Sequence, residues 1–292
     1  MKLDPLLAGL ALAGLYLLGS GEIRKFERLA AEEIRSKLGG DRARVDVRTQ
    51  LNGLFGAFSG DLRRVTITAS DFETDALPLF TEPELSKRGR VRELRISLRN
   101  FRLAGLRVDA LESSIPDCRF DLGLAMKRRM IRLSQSGVGT GTVRLLDRDL
   151  EAFILRKFKE IKRVQVRIEP GKVLVEGYGE FLIIKTNFSV EAKLSPLNKT
   201  QLVLTDAIIL FDGREADEHS RRVLLETLNP VVDLSKDLGL YDAVEMTDVA
   251  LREGFLEAHG RTRIPVKPPE GNDLLLMVPS SRSIPARTSS KA

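Results

Sequence analysis

Residues 94–99 read Leu94-Arg95-Ile96-Ser97-Leu98-Arg99, with an apolar side chain at every second position. Successive side chains of a strand point to opposite faces, so this alternation predicts a strand with one buried and one solvated face. The same period recurs at residues 45–49, 65–69 and 106–109. A largely antiparallel sheet is therefore expected in this part of the chain.

Three segments carry apolar residues at three- and four-residue spacing, which is typical of amphipathic helices. The first runs from Glu22 to Leu38, and the third from about Ala216 to Leu228. The second is expected to start at Asp147 as its cap, with an apolar stripe that reaches Ile161. Strand-like segments return in the second half of the chain at 164–168, 173–175, 181–192, 200–211, 244–249 and 255–258.

The predicted strands present more apolar surface than three helices can cover. Two arrangements would bury it: a sheet closed into a barrel or sandwich, or a sheet curled around a helix that leaves an apolar trough. The fold class is α+β in both cases. A helix followed by a Val-x-Val strand occurs at 22–47 and again at 147–168, which predicts two similar halves.

The N-terminal residues 5–18 contain no charged side chain. A bilayer span needs about 20 apolar residues, so this shorter run is typical of a secretory signal or a short membrane anchor. We therefore expect a signal peptide or anchor at 1–21, an α+β domain at 22–264 and a mostly disordered Pro/Ser tail at 265–292. The protein is expected to be exported, periplasmic or otherwise extracytoplasmic, and to associate with a membrane through its N-terminal segment.

Charge is concentrated in one region of a chain whose net charge is +6. Residues 87–107 hold eight Lys and Arg side chains against the single acidic residue Glu93. Such a patch fits anionic lipid headgroups or nucleic acid, and the export-like start favours lipid over nucleic acid. Arginines that only solubilise the sheet surface are the competing interpretation.

Catalytic and metal-binding patterns are scarce. The chain has two His residues and one Cys, and no zinc-ligand spacing. Gly137–Gly141 lacks both the third glycine of a dinucleotide loop and the Gly-Lys-Ser/Thr of a P-loop. The sequence therefore predicts a protein that is not an enzyme and that uses no cofactor or metal.

The loop between residues 51 and 60 is unusually apolar, since Leu54, Phe55 and Phe58 stand between glycines. Loops normally lie on the surface and are polar. This loop is expected either to contact a membrane or to fold back onto the core.

Several of these segments together resemble the LmeA-like phospholipid-binding family of bacterial envelope proteins. They are the apolar start, the first helix, and the segments Val45–Leu51, Gly60–Ser70, Gly139–Leu150 and Asn229-Pro230. The resemblance covers roughly residues 22–264. It implies a tubular lipid-binding type of fold, with a long curled sheet wrapped on helices around an elongated apolar groove. It also implies phospholipid binding and a role in envelope lipid or lipoglycan maintenance.

The hypothesis that follows is binding, and possible transfer, of phospholipid at an envelope membrane. The alternative is a membrane-tethered structural or interaction protein with a closed β core and no ligand. Apolar groove residues are expected to be Leu94, Ile96, Leu98, Phe153, Ile154, Phe158, Phe181, Ile183, Phe188, Leu202, Leu204 and Ile208. Arg92, Arg95 and Arg99 are the expected headgroup contacts.

Overall fold

The structure is a computed structural model that describes residue 21 and residues 23–53, 60–75, 89–123, 132–180, 185–240 and 243–264. The predicted N-terminal apolar run, the loop residues Leu54, Phe55 and Phe58, the groove residues Phe181 and Ile183, and the tail 265–292 lie outside these residues.

Helices are described at three places: α1 at residues 23–35, α2 at Asp147–Lys157 and α3 at Glu218–Leu228. The strands before α2 are β1 (Arg44–Leu51), β2 (Asp61–Ser70), β3 (Glu73–Thr74), β4 (Gly89–Leu103), β5 (Leu106–Phe120), β6 (Leu133–Gln135) and β7 (Gly139–Leu146). The strands after it are β8 (Ile161–Glu169), β9 (Lys172–Glu180), β10 (Lys185–Leu197), β11 (Gln201–Phe211), β12 (Arg214–Glu215), β13 (Val232–Asp233), β14 (Val244–Arg252) and β15 (Phe255–Thr262).

The described strands form two open sheets rather than one long sheet or a closed barrel. The first has the order β1-β2-β4-β5-β7-β15-β14, with β3 beside β4 and β6 beside β5. The second has the order β12-β11-β10-β9-β8, with β13 beside β11. Pairing is antiparallel except where β4 meets β2 and β3. The described residues are mostly β with three helices, and the expectation of mostly antiparallel pairing is confirmed.

The two sheets meet along the edge strand β14 of the first sheet. This strand contacts β8 and β10 of the second sheet. Backbone hydrogen bonds join the sheets at both ends of that edge, from Met246 N to Lys199 O (2.6 Å) and from Gly254 N to Ile168 O (2.9 Å). The apolar faces of both sheets contribute to one buried cluster, which also takes in α2 and α3.

In the long hairpin β4–β5, the set of residues that points toward the core changes twice along the strands. Leu94 and Leu98 are buried as the alternation predicts, but beyond them the buried residues are Val91 on one side and Phe101 on the other. Phe101 follows Asn100, which adopts a left-handed backbone conformation with φ of 48°. Val91 is paired with the buried Cys118 of β5, which follows Asp117 with φ of 51°. Such residues re-aim a strand without breaking its pairing.

Two helix boundaries differ from the sequence prediction. The first helix ends at residue 35 instead of Leu38. The cap of α2 is Leu146 and not Asp147, and the helix ends at Lys157, so Ile161 belongs to β8 instead of the helical stripe. Helix α3 instead has a true side-chain cap, because Asp217 accepts from the backbone amides of His219 and Ser220.

No helix among the described residues is long and apolar enough to cross a bilayer.

Candidate functional site

Two apolar cavities lie on the inner face of the first sheet. Cavity 1 has a volume of about 100 Å³ and is enclosed between the central strands and the segment 232–240. Its walls come from Leu106 and Val108 of β5, Val143 of β7, and Met246 and Leu256 of the last two strands. Leu234, Leu238 and Leu240 close it from the other side. The exposed lining of this cavity is almost wholly apolar.

Cavity 2 has a volume of about 170 Å³ and lies between the first sheet and the region around α1. Strands β2, β4 and β5 form its wall, and Ile34 of α1 faces them. Arg263 is the only charged residue among the described residues that line it. This cavity therefore offers an apolar interior with one cationic group at its border.

Four residues line both cavities: Leu111, Ser113, Val244 and Thr262. The Ser113 and Thr262 hydroxyl oxygens are 2.8 Å apart, within hydrogen-bond distance. The cavities are therefore neighbours that share a wall, and this shared wall carries the hydroxyl groups.

The predicted groove residues are divided between the cavities and the packed core. Leu94, Ile96 and Leu98 come together in cavity 2, and Leu202 lines cavity 1. Phe153, Ile154, Phe158, Phe188 and Leu204 are buried in the main cluster and line neither cavity. Ile154, Phe158 and Leu204 line a third, smaller apolar cavity of about 20 Å³ between α2 and the second sheet.

Ile208 is the one described groove candidate that faces solvent, with 57% of its surface exposed. The alternation that placed it inward is interrupted by Asp206, which has a left-handed φ of 51°. Ile209, only 1% exposed, takes the inward position instead. The assignment of Ile208 to an apolar groove is therefore wrong.

The three arginines expected to meet a headgroup do not line either cavity. Arg95 and Arg99 lie on the face of β4 opposite to Leu94 and Leu98, and they pair with Glu93 (2.6 Å) and Glu112 (3.4 Å). Arg92 pairs with Asp61 at 2.8 Å. In the described part of this basic region, carboxylates therefore neutralise these side chains, which favours a structural role for them.

The Asp61–Arg92 pair makes stability depend on pH. Hydrogen bonds from Arg92 and then from Asn52 lower the pKa of Asp61 from 3.8 to about 2. A lowered pKa stabilises the folded state above the unfolded pKa, and that stabilisation is lost as the pH falls through the folded pKa. Between about pH 4 and about pH 2, the unfolding free energy of the wild type is expected to fall more steeply than that of Asp61→Asn.

Urea unfolding at several pH values measures this slope. Arg92→Gln removes the main cause of the pKa shift and is expected to flatten the curve in the same way. Parallel curves for wild type and both variants would show that the pair contributes nothing to stability.

The segment that closes cavity 1 reads as a polar loop in the sequence, yet ionic contacts hold it in place. Lys157 at the end of α2 donates to Asp237 Oδ2 at 2.6 Å and to the carbonyl oxygen of Pro230 at 2.8 Å. The same Oδ2 accepts from the backbone amide of Asp233, and Asp233 accepts from Gln201 of β11. Sequence reasoning missed this segment because its leucines lack a helical or strand period.

The described His, Cys and buried acidic side chains lie apart from one another. Among the described residues, no group of three His, Cys, Asp or Glu side chains could hold a metal ion. His259 Nδ1 lies 3.1 Å from Thr142 Oγ1, and Cys118 is fully buried, which raises the pKa of its thiol to about 12. Burial also raises the pKa of the Asp149 carboxyl, but this residue belongs to α2 and lines neither cavity.

These features define a mostly β protein with open sheets and an apolar internal space. The model of the LmeA-like phospholipid-binding family matches residues 87–261, more than half of the chain. The chain belongs to this family, as its resemblance predicts. Family membership supports lipid binding, with phospholipid as the partner. The match covers all strands that line cavity 1 and those of cavity 2 except β2.

No curated protein and no solved structure matches the chain.

Proposed function

We propose that this protein binds phospholipid at an envelope membrane and holds the acyl chains in cavities 1 and 2. The observation that carries this proposal is the pair of apolar cavities with four shared lining residues. An empty apolar cavity costs stability, because its lining lacks contacts on one side. An acyl chain restores those contacts and gains about 0.8 kcal/mol for each methylene that leaves water.

The lining chemistry limits what can enter. Few polar atoms are exposed in either cavity. A sugar, nucleotide or peptide would lose its hydrogen bonds to water there without replacement, at a cost of several kcal/mol. A hydrocarbon chain loses none, so the space selects the apolar part of a lipid and leaves the headgroup outside.

The headgroup contact in this proposal is Arg263, because it lies at the border of cavity 2, whereas Arg92, Arg95 and Arg99 line neither cavity. Arg263 is exposed at the border of cavity 2, where β15 ends. A guanidinium group can donate two parallel hydrogen bonds to a phosphate. The phosphate would then lie at the surface while the acyl chains extend under the sheet.

Membrane association and export are further parts of the proposal. The apolar run at 5–18 would keep the domain close to a bilayer, and the apolar loop with Leu54, Phe55 and Phe58 would contact its surface. A protein held there could take up lipid from the membrane, store it or transfer it. Envelope lipid or lipoglycan maintenance is the process that this activity would serve.

Mass spectrometry of lipids that co-purify with the full chain tests the core of the proposal. We expect phospholipid in roughly equimolar amount after removal of loosely bound lipid. Purified protein without bound lipid that also fails to take up phosphatidylglycerol from vesicles would contradict it and favour a structural or interaction role.

Charge reversal at Arg263 tests the headgroup contact. Arg263→Glu is expected to weaken binding to phosphatidylglycerol vesicles by about tenfold or more, since a hydrogen bond to a charged group is worth about 1.5–3 kcal/mol. Binding of an uncharged fatty alcohol should remain unchanged. Vesicle co-sedimentation and fluorescence displacement measure the two affinities.

Arg261→Glu is the matched control, because Arg261 is exposed, lies two residues before Arg263 at the end of β15 and lines neither cavity. Arg261→Glu changes the net charge by the same amount as Arg263→Glu. Equal losses in both variants would mean that only overall charge matters and that Arg263 has no specific role.

A further inference from the structure

A row of very small side chains crosses the inner face of the first sheet where the two cavities meet. Ser113 of β5 is in register with Gly141 of β7, and Gly141 is in register with Gly260 of β15. Ser113 stands on the inner face between Leu111 and Ile115, which both line cavity 2. This glycine row (Ser113, Gly141 and Gly260) leaves a band of sheet with almost no side-chain volume.

The neighbouring rows on the same face are of mixed size. On one side of the glycine row lie Leu111, Val143 and Ala258, and on the other lie Ile115, Gly139 and Thr262. The row therefore forms a shallow passage beside Leu111 and Val143, with Gly139 on its other side. Gly141 and Gly260 line cavity 1 and Ser113 lines both cavities, so this passage leads from cavity 1 to the wall that it shares with cavity 2.

Close packing explains only part of the row. A Cβ atom at position 260 would lie 2.4 Å from the Glu245 carbonyl oxygen, so backbone packing requires glycine there. A Cβ atom at position 141 would meet only the Thr262 methyl group at 2.8 Å, with the Glu112 carbonyl oxygen at 3.5 Å. A side chain such as Thr262 can shift, so the backbone does not by itself require glycine at 141.

We propose that the glycine row joins the two cavities into one acyl path and thereby sets the length of chain that the protein accepts. This inference rests on the proposed function. Together the cavity walls cover six neighbouring strands, from β2 to β14. At about 4.8 Å per strand this spans about 24 Å. One leaflet of a bilayer core is about 15 Å thick, so a joined path of this length would be long enough for a full-length acyl chain.

A larger side chain in the passage should therefore weaken binding of long-chain lipid more than binding of short-chain lipid. Ser113→Leu places a branched side chain in the passage from β5, and Gly141→Ala adds a methyl group from β7. Each variant is incubated with an equimolar mixture of dioctanoyl and dioleoyl phosphatidylglycerol, and mass spectrometry gives the ratio of long-chain to short-chain lipid retained. The two lipids share a headgroup, so the ratio reports only on the chains.

We expect Ser113→Leu to lower the long-to-short ratio about tenfold, the effect of excluding roughly two methylenes from an apolar site. Gly141→Ala should lower it in the same direction by a smaller factor. Thr140→Leu is the control, because Thr140 lies next to Gly141 on β7 and is exposed on the outer face of the sheet. It should leave the ratio unchanged.

An unchanged ratio in Ser113→Leu, with wild-type thermal unfolding, would overturn the inference. Equal loss of both lipids in a folded variant would also overturn it, because a general defect does not depend on chain length. If the wild type retains neither lipid, the proposed function itself fails, and that result is distinct from both.

Discussion

Gly139→Ala is expected to lower the free energy of unfolding by about 3 kcal/mol or more, the upper range for forcing extra volume into a packed site. Gly139 is buried in β7 opposite Ile115 of β5, and a Cβ atom there would lie 2.0 Å from the Ser114 carbonyl oxygen and 2.7 Å from Ile115 Cα. Both are backbone atoms of the paired strand, so they cannot move aside without breaking the pairing of β5 and β7. Urea unfolding followed by circular dichroism measures the loss.

Gly141→Ala in the same strand is the matched comparison. Its new methyl group meets the end of the Thr262 side chain rather than backbone, so a loss below about 1 kcal/mol is expected. Equal losses at the two positions would mean that intrinsic strand preference, and not the close approach of β5, decides the cost.

Lys157→Met is expected to cost about 2–4 kcal/mol and to loosen the segment that closes cavity 1. The substitution keeps the length of the side chain but leaves Asp237 and two backbone carbonyl groups without their charged donor. Losing one partner of a largely buried pair is costly, because the remaining charge stays desolvated. Only 21% of either side chain is exposed. Thermal unfolding and hydrogen exchange in residues 232–240 measure the two effects.

Lys193→Met provides the control, since Lys193 pairs with Asp206 at 3.0 Å while both side chains are mostly exposed. Exposed pairs contribute at most about 1 kcal/mol, so little change is expected. If Lys157→Met destabilises no more than this control, the Lys157–Asp237 contact does not hold the segment in place.

The strand pattern of the first sheet could be predicted because its period of two reflects a real difference between its faces. Leu94, Ile96 and Leu98 were expected on the inner side, and they line cavity 2. The same rule failed at Ile208, because a left-handed residue two positions earlier changes which side chains point inward. An Asp in a strand does not reveal from sequence whether its backbone takes this conformation.

The candidate site itself could be predicted only in part. Apolar residues at helix or strand spacing look the same whether they pack against a neighbour or face a cavity, so the sequence did not separate Phe153 of α2 from Leu94 of β4. Which of them borders empty space depends on the chain segments that pack above. The segment 232–240 and Arg263 take their places through tertiary contacts that no local pattern encodes.

The position of β15 has a consequence for when cavity 1 can form. This strand lies between β7 and β14, although it comes about a hundred residues after β7 in the chain. Until residues 255–262 are in place, β7 lacks one neighbour and cavity 1 lacks Leu256 from its wall. Such distant pairing is slow to form, because a long loop must close first. Cavity 1 is therefore completed only after residues 255–262 have been synthesised, and the proposed uptake of lipid would follow that step.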